Sequence, residues 1–558
     1  MMMRVLQVSI SNGGKKGMMK MEFSRLMAFL ATVTLAMVGP AFGQSPFGEG
    51  SLVREHCGAC HKPDQQGRIE VIEETRKTPE EWKNVLIRMT RLNDAVLEDD
   101  KFLPVVKELS RHLSLTPAET VKVAYINSDE NSQYREIPKS KLEERLYTAC
   151  VRCHTYGKIA SHRMTESQWN ENRNLHLGYY PTAVPQMREM DWTQESKDLI
   201  PELAKLFPHK TPEWQEWMKS RKKQDLSGKW RMAGYQPGMG YYEGFYEFSP
   251  APEKGEDEYT IRKQIRYLNG TTLVQTGTGT LFAEFHLRYA LAPTPLTGRI
   301  EGVFDLDAEN MRFNGKWWTV IQDTNAFGNE AFVKKEGVLA AFPMALKIGQ
   351  EEQRLTIVGS GFSEDISPKD IRFSDPHVNV SEIIEANVDK LVCKIKIGGE
   401  KTRSTAVMIK GEKIEDPFTL YTQVDGIRVL PSIGRARVSC GAAYPPQGVQ
   451  FVARAVQFGP DGKAGTADDI LLEQVDADWA LEEEKTREGD DDLKYLHTSI
   501  ENGLYTPVTT YGPIAERKQH REGVGLIAVT ASVTIDGKIL SDRARLAVTE
   551  PDFITHIK

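Results

Sequence analysis

Hydrophobic and polar positions change period several times along the chain, and each change marks an element. Leu26 to Val38 is an apolar run, preceded by Lys15, Lys16, Lys20 and Arg25 and followed by Pro40-Ala41-Phe42-Gly43. At 13 residues the run is too short to cross a bilayer comfortably. With the small residues Ala41 and Gly43 behind it, residues 1–43 read as a signal peptide cleaved near Gly43/Gln44. No later stretch is long and apolar enough to span.

Between 44 and 223 the apolar spacing is helical, as in Phe102 to Leu113 and Leu199 to Phe207. From 224 to 336 the period becomes two. Tyr242–Phe248 and Thr260–Tyr267 alternate, and the second leads into Asn269-Gly270, the preferred two-residue hairpin turn. Thr272–Gly279, Leu281–Ala290 and Lys316–Ile321 extend the pattern, so this stretch is expected to be an antiparallel sheet or barrel. Leu355–Phe362 holds a Gly-x-Gly-Phe turn and suggests an immunoglobulin-like domain over 337–417. Val449–Val456 and Gly525–Thr534 supply strands for a C-terminal β-sandwich over 418–558. The expected fold is multidomain: one mainly α-helical domain, then three all-β domains.

Charge narrows the partners. The full chain carries a formal charge of −7; without residues 1–43 it holds 66 Lys and Arg against 77 Asp and Glu, or −11. An acidic surface argues against nucleic acid and anionic membranes. The run Glu482 to Asp492 reads as a solvated loop. Asp461 to Asp469 is rich in Gly and Asp but has neither the EF-hand spacing nor its closing Glu, so a plain turn is favoured over a calcium loop.

Cysteine placement changes the picture most. Cys57-Gly-Ala-Cys60-His61 and Cys150-Val-Arg-Cys153-His154 are two copies of the c-type haem attachment pattern. Two thiols reach the two vinyl groups of one haem, and the following imidazole, His61 or His154, becomes the proximal iron ligand. A zinc ribbon with four thiolates leaves both histidines unexplained, and the gap between the pairs is long for a ribbon. The helical region is thus expected to be a di-haem cytochrome c domain. Export agrees, because c haem is attached outside the cytoplasm. Cys393 and Cys440 remain; they could form a disulfide, or Cys393 could be a buried free thiol beside Leu391 and Ile395.

The two motifs belong to a longer repeat. Arg76, Thr78, Glu81 and Trp82 recur at the same spacing as Arg163, Thr165, Gln168 and Trp169. Each Thr-x-x-Glu/Gln fits a capping box, so a helix is expected to start at each Thr, with its Trp on the first turn. Seven residues after Trp82 stands Met89; seven after Trp169 stands His176. Seven residues are about two turns, which puts each pair on one helix face. Trp against the haem edge and a ligand over the iron would use that face. Met89 is therefore expected as the distal ligand of the first haem and His176 of the second. His56 and His112 compete with Met89; His162, Met187 and Met190 compete with His176. Met–His ligation raises a potential relative to bis-His, so the two haems would differ. No Gly-x-Ser-x-Gly elbow, His-Glu-x-x-His helix or phosphate loop stands in a supportive place, and no catalytic residue is assigned.

The export signal, the paired haem motifs, the duplicated Arg-x-Thr segment with Met89 or His176 behind it, and the three β units resemble the α subunit of quinohaemoprotein amine dehydrogenases. The resemblance implies a periplasmic heterotrimer. Its β subunit is a propeller, and a small γ subunit carries a cysteine tryptophylquinone that oxidises primary amines to aldehyde and ammonia. The α subunit carries electrons through its haems to an external cytochrome c or blue copper protein. This chain would then be the conduit, with the amine-oxidising groups elsewhere. Two other readings stand beside it: a stand-alone di-haem carrier or sensor, and a di-haem peroxidase, which needs an open or displaceable sixth iron position.

Overall fold

The computed structural model describes residues 45–127, 136, 138–151, 154–187, 189–295, 297–319, 326–413, 418–438, 446–486, 488–508, 512–516 and 522–550. The signal segment, Cys153 and Cys440 lie outside them. No helix among the described residues is long and apolar enough to cross a membrane.

Ten α-helices lie between residues 52 and 220 among the described residues. They are α1 Leu52–Cys57, α2 Pro79–Leu92, α3 Asp99–Leu113, α4 Pro117–Thr120, α5 Lys141–Cys150, α6 Tyr156–Ala160, α7 Glu166–Tyr179, α8 Ala183–Gln186, α9 Trp192–Leu206 and α10 Pro212–Ser220. They surround two separate apolar cores. The first holds Phe47, which precedes α1, with Val53, Trp82, Leu86, Val105 and Leu109 from α1–α3; the second holds Leu146, Trp169, Leu199 and Leu203 from α5, α7 and α9. Between them runs a two-residue antiparallel ladder, β1 Thr75–Arg76 against β2 Arg163–Met164, with Arg76 directly opposite Arg163. The duplicated arginines thus face each other across a local pseudo-two-fold axis.

Eight strands then close into an antiparallel barrel: β3 Gly228–Gln236, β4 Gly240–Pro250, β5 Glu258–Tyr267, β6 Thr272–Phe282, β7 His286–Leu291, β8 Ile300–Asp307, β9 Arg312–Thr319 and β10 Phe327–Val333. Alternation fills the interior, as inside–outside exchange along β5 from Tyr259 onward shows. Aromatic rings dominate it, with Trp230, Tyr246, Phe304, Phe313 and Phe332 in mutual contact. Large rings lie flat against glycines on neighbouring strands: a Cβ on Gly328 would sit 2.5 Å from the Trp317 indole. Inside the barrel Glu330 accepts from Tyr242 at 2.7 Å, from Tyr246 and from Lys263, all buried.

Asn269-Gly270 makes the β5–β6 turn, with Gly270 at φ 93°. The single strand expected over Leu281–Ala290 is instead the end of β6, a tight turn and β7. Ala283 and Glu284 take φ 49° and 66° there, a turn formed without the usual Gly or Asn. Arg221 pairs with Glu284 at 3.0 Å and holds it in place. Phe282, just before the turn, inserts into the first helical core, so the barrel and that core share a wall.

Residues 337–421 pack three short sheets around Leu355, Ile357, Leu391, Ile395, Val407 and Leu420. Phe418–Tyr421 pairs with Ala345–Lys347 and Arg403–Thr405. Cys393 is fully buried in this core with its thiol free, pushed up to about 12 by burial. Residues 426–549 form further sheets, the longest pair being Gly525–Ile535 with Lys538–Thr549. The acidic run is less solvated than its composition suggests. Glu484 is buried under Arg543 and Arg545, and Asp492 accepts from the Leu526 amide at 2.9 Å. In the Asp461–Asp469 loop the Arg428 guanidinium and the Gly465 amide bind Asp469.

Candidate functional site

Each haem motif begins where a short capped helix ends. Ser51 accepts from the Arg54 amide at 3.2 Å and starts α1, whose last residue is Cys57. The chain then tightens, with the Cys60 and His61 amides both donating to Cys57 O at 3.3 and 2.9 Å. Gly58 is required inside this turn, since a Cβ would meet Arg54 O at 2.5 Å. In the second copy Ser140 caps α5, which ends on Cys150, and His154 follows after the undescribed Arg152 and Cys153. Burial pushes the Cys57 thiol up to about 11 and the Cys150 thiol up to about 12. Both thiols are therefore protonated at neutral pH.

The repeat places the two long helices as expected. Thr78 caps α2 by accepting from the Glu81 amide at 3.4 Å, and Thr165 caps α7 by accepting from the Gln168 amide at 3.2 Å. The other half of each capping box departs from expectation, because both N3 side chains reach across the junction instead of back to the cap. Lys158 donates to Glu81 at 3.0 Å, and Gln168 donates to Glu74 at 3.0 Å. Trp82 is packed in the first core and donates to Leu113 O at 3.2 Å; its counterpart Trp169 is equally buried, but its indole N–H has no partner among the described residues.

His154 and His176 are brought together, their ring centres 6.3 Å apart. His154 Nδ1 lies 3.1 Å from Thr155 O, and His176 Nδ1 lies 2.7 Å from Asn172 O. A carbonyl oxygen only accepts, so each Nδ1 donates, which makes Nε2 the ligand nitrogen of the neutral ring. Two N–metal bonds of about 2 Å, with each ring centre about 1 Å behind its nitrogen, call for ring centres about 6 Å apart. The pair fits the axial positions of one haem iron. Trp192 and Tyr180 flank His176 at 6.5 and 6.0 Å. Burial lowers the His154 imidazole below its ordinary range, and it lowers His61 likewise, which keeps both neutral and available as ligands.

His61 is half-buried at the end of the first motif, and Met89 is half-buried on the third turn of α2. The competing residues are mostly engaged elsewhere. His162 binds Lys158 O at 2.6 Å and lies 3.6 Å from Glu81; Met187 is core; His112 stands edge-on to Phe47, its imidazole pushed down to about 4 by burial. His56 keeps a buried Nε2 without a partner among the described residues. No group of three or more His, Cys, Asp and Glu side chains suited to a metal ion occurs among the described residues. Haem does not require one, because the porphyrin supplies four ligands and the chain only the axial pair.

One residue of this region belongs to neither copy of the repeat. Glu119, on α4, receives Arg76 through two bonds of 2.8 and 3.0 Å and Arg163 through one of 3.0 Å, all three side chains buried. Its only sequence signal is Thr116-Pro-Ala-Glu119, a capping box that the structure forms in full.

Capped attachment helices, a tied pair of imidazoles and a separate β scaffold define a multidomain haem-binding protein. Three family models agree with that class. "Quinohemoprotein amine dehydrogenase A, alpha subunit, haem binding" matches residues 48–214, "Quinohemoprotein amine dehydrogenase, alpha subunit domain II" matches 223–335, and domain IV of the same subunit matches 427–556. Together they span well over half of the sequence, and the chain belongs to the quinohaemoprotein amine dehydrogenase α-subunit family. It is thus a subunit of a multi-subunit amine dehydrogenase. No curated protein matches the chain. Among solved structures, the redesigned β-barrel mFAP1 bound to DFHBI is 16% identical over 20% of this chain and 94% of its own, with a TM-score of 0.17. Mouse clustered PcdhgC3 EC1-3 is 14% identical over 48% of this chain and 86% of its own, with a TM-score of 0.15. Likenesses that low carry no argument.

Proposed function

We propose that this chain is the electron-carrying subunit of a periplasmic amine dehydrogenase, holding two covalent c haems. Cys57 and Cys60 form the thioether bonds of the first, Cys150 and Cys153 those of the second. His61 and His154 are the proximal ligands, Met89 and His176 the distal ones. The observation that carries this reading is the His154–His176 pair, with both Nδ1 atoms bonded to backbone carbonyls and the ring centres 6.3 Å apart, close to the separation that two imidazoles on one iron need.

Bound haem supplies a one-electron couple at each site. The chain's own groups set its character. A carbonyl-bound Nδ1–H fixes ring orientation and makes Nε2 a stronger donor. A thioether from Met89 favours the reduced state at the first site, whereas two imidazoles at the second favour the oxidised one. Oxidative deamination of a primary amine, with water, gives aldehyde, ammonia, two protons and two electrons. Two one-electron sites therefore match one turnover. The quinone that oxidises the amine belongs on a small partner subunit, with a propeller subunit beside it; an external cytochrome c or blue copper protein takes the electrons. The helical region is the di-haem domain, 337–417 is read as immunoglobulin-like, and the amine-oxidising groups lie off this chain.

The test is the holo chain matured in a host that attaches c haem. Its intact mass should exceed the apo mass by two haems, and magnetic circular dichroism should show one Met-to-iron charge-transfer band. His176→Ala should abolish the bis-imidazole signature of one haem while leaving both attached. One haem, or rapid peroxide turnover by the isolated chain, would sink the reading.

A further inference from the structure

We infer that Glu119, Glu81 and Gln168 are positioning residues for electron transfer between the two haem sites, an inference that rests on the di-haem reading above. Both helices that carry the expected distal ligands leave from the same two-residue ladder. Arg76 is followed at once by the Thr78 cap of α2, and Arg163 by the Thr165 cap of α7. The relative placement of Met89 and His176 is therefore decided where those two starts meet.

Three contacts fix that meeting, and all are reciprocal. At the centre Glu119 clamps both duplicated arginines, with Arg76 also bound to His209 O at 2.6 Å and Ser114 O at 3.2 Å, and Arg163 bound to Ala160 O at 2.6 Å. On one side Glu74, from the first unit, takes the Gln168 amide at 3.0 Å and the Thr165 hydroxyl at 3.3 Å at the head of α7. On the other side Lys158, from the second unit, grips Glu81 at the head of α2. At the far end Tyr179 on α7 donates to Asn93 at 3.1 Å, just past α2. The two ligand helices are pinned at both ends.

The charges make the clasp directional. Each guanidinium is planar and meets its carboxylate oxygens through fixed N–H directions, so Glu119 dictates angle as well as distance. Side chains that would ordinarily close a capping box have been turned outward at both copies. A device that merely stabilised each helix would keep them home. Spending them on the junction is explained by a need to hold one unit against the other.

Glu119→Gln and Gln168→Met test this in the holo chain. Gln168→Met keeps helix propensity and removes only the bond to Glu74, so it carries the test if Glu119→Gln fails to mature. Both haem content and the two midpoint potentials should stay wild-type. The inter-haem rate after flash photoreduction should fall severalfold, since electron tunnelling decays exponentially with the separation of the two centres. The dipolar broadening between the two ferric signals should weaken in parallel. Two attached haems with a wild-type rate in both variants would overturn the inference alone. A chain that carries fewer than two haems would overturn the reading beneath it, and the inference with it.

Discussion

Glu119→Gln also has a thermodynamic consequence with a definite size and pH dependence. In the folded chain two guanidinium groups and the Thr116 amide hold the Glu119 carboxyl down to about 2, against an ordinary 4.5. Burial works the other way but loses to the paired arginines. Arg76 and Arg163 are themselves pulled down by burial, yet from so high a starting point that both stay charged, and the carboxylate carries the titration. A depression of that size, at about 1.4 kcal/mol per unit, is worth about 3 kcal/mol at neutral pH. Glu119 is only 6% exposed, so solvent screening removes little of it. Breaking a buried ion pair costs about 3–5 kcal/mol by a separate route, and the two figures agree.

The sign follows from the depressed value. The contribution is whole above the unfolded value near 4.5 and is lost as pH falls towards 2. Glutamine has one acceptor oxygen where glutamate has two, and it turns an N–H pair toward an arginine. The local probes are the Lys77 amide, bonded to Leu113 O at 3.0 Å, and the Met164 amide, bonded to Phe207 O at 3.2 Å. Their hydrogen exchange, corrected for intrinsic rates, gives the opening free energy of the junction. Wild type should exceed Glu119→Gln by about 3 kcal/mol near neutrality, and the gap should shrink to about 1 kcal/mol by about pH 2.5 and go on closing below it. A gap below about 1 kcal/mol at neutrality, or one that persists unchanged into acid, refutes the reasoning.

Met89→His should lower the potential of the first haem and remove the Met-to-iron band; an unchanged spectrum would place the ligand elsewhere. In the barrel, Glu330→Gln leaves the buried Lys263 ammonium unpaired and should cost about 3–5 kcal/mol, read by exchange of β5 and β10 amides. Glu330→Met with Lys263→Met should cost less than Glu330→Gln alone, and the reverse order would show that the charge is not the problem. Trp82→Phe forfeits the bond to Leu113 O, whereas Trp169→Phe forfeits none, so the first should cost about 1 kcal/mol more than the second by thermal unfolding of the holo chain.

Much of the fold was legible because the relevant signals are local. The Thr caps and the Asn269-Gly270 turn each depend on a few neighbouring residues, and alternation in β5 reports its two environments directly. The Ala283–Glu284 turn was not legible, since its positive φ values are sustained by tertiary contact, with Arg221 on Glu284 and Phe282 anchored in the helical core. The acidic run misled for a similar reason: Glu484 is paid for by Arg543 and Arg545, some sixty residues away. Glu119 was invisible as a partner of the repeat because it lies between the two copies and occurs once.

That single occurrence is informative. Duplication supplies two arginines facing each other on a pseudo-two-fold axis, which alone is a repulsive arrangement in a buried place. A symmetric solution would use two acids. One glutamate from the connecting segment takes the hydrogen bonds of both instead, two from Arg76 and one from Arg163, with Glu213 adding only a charge attraction to each. The axis is therefore broken at its centre, as it is at the N3 positions, Glu81 against Gln168, and seven residues beyond each tryptophan, Met89 against His176. Backbone pairing keeps the two units alike in fold while the side chains make them unlike in charge. If electrons move one way between two haems, the asymmetry has to reside in such positions, because the scaffold that carries them is common to both.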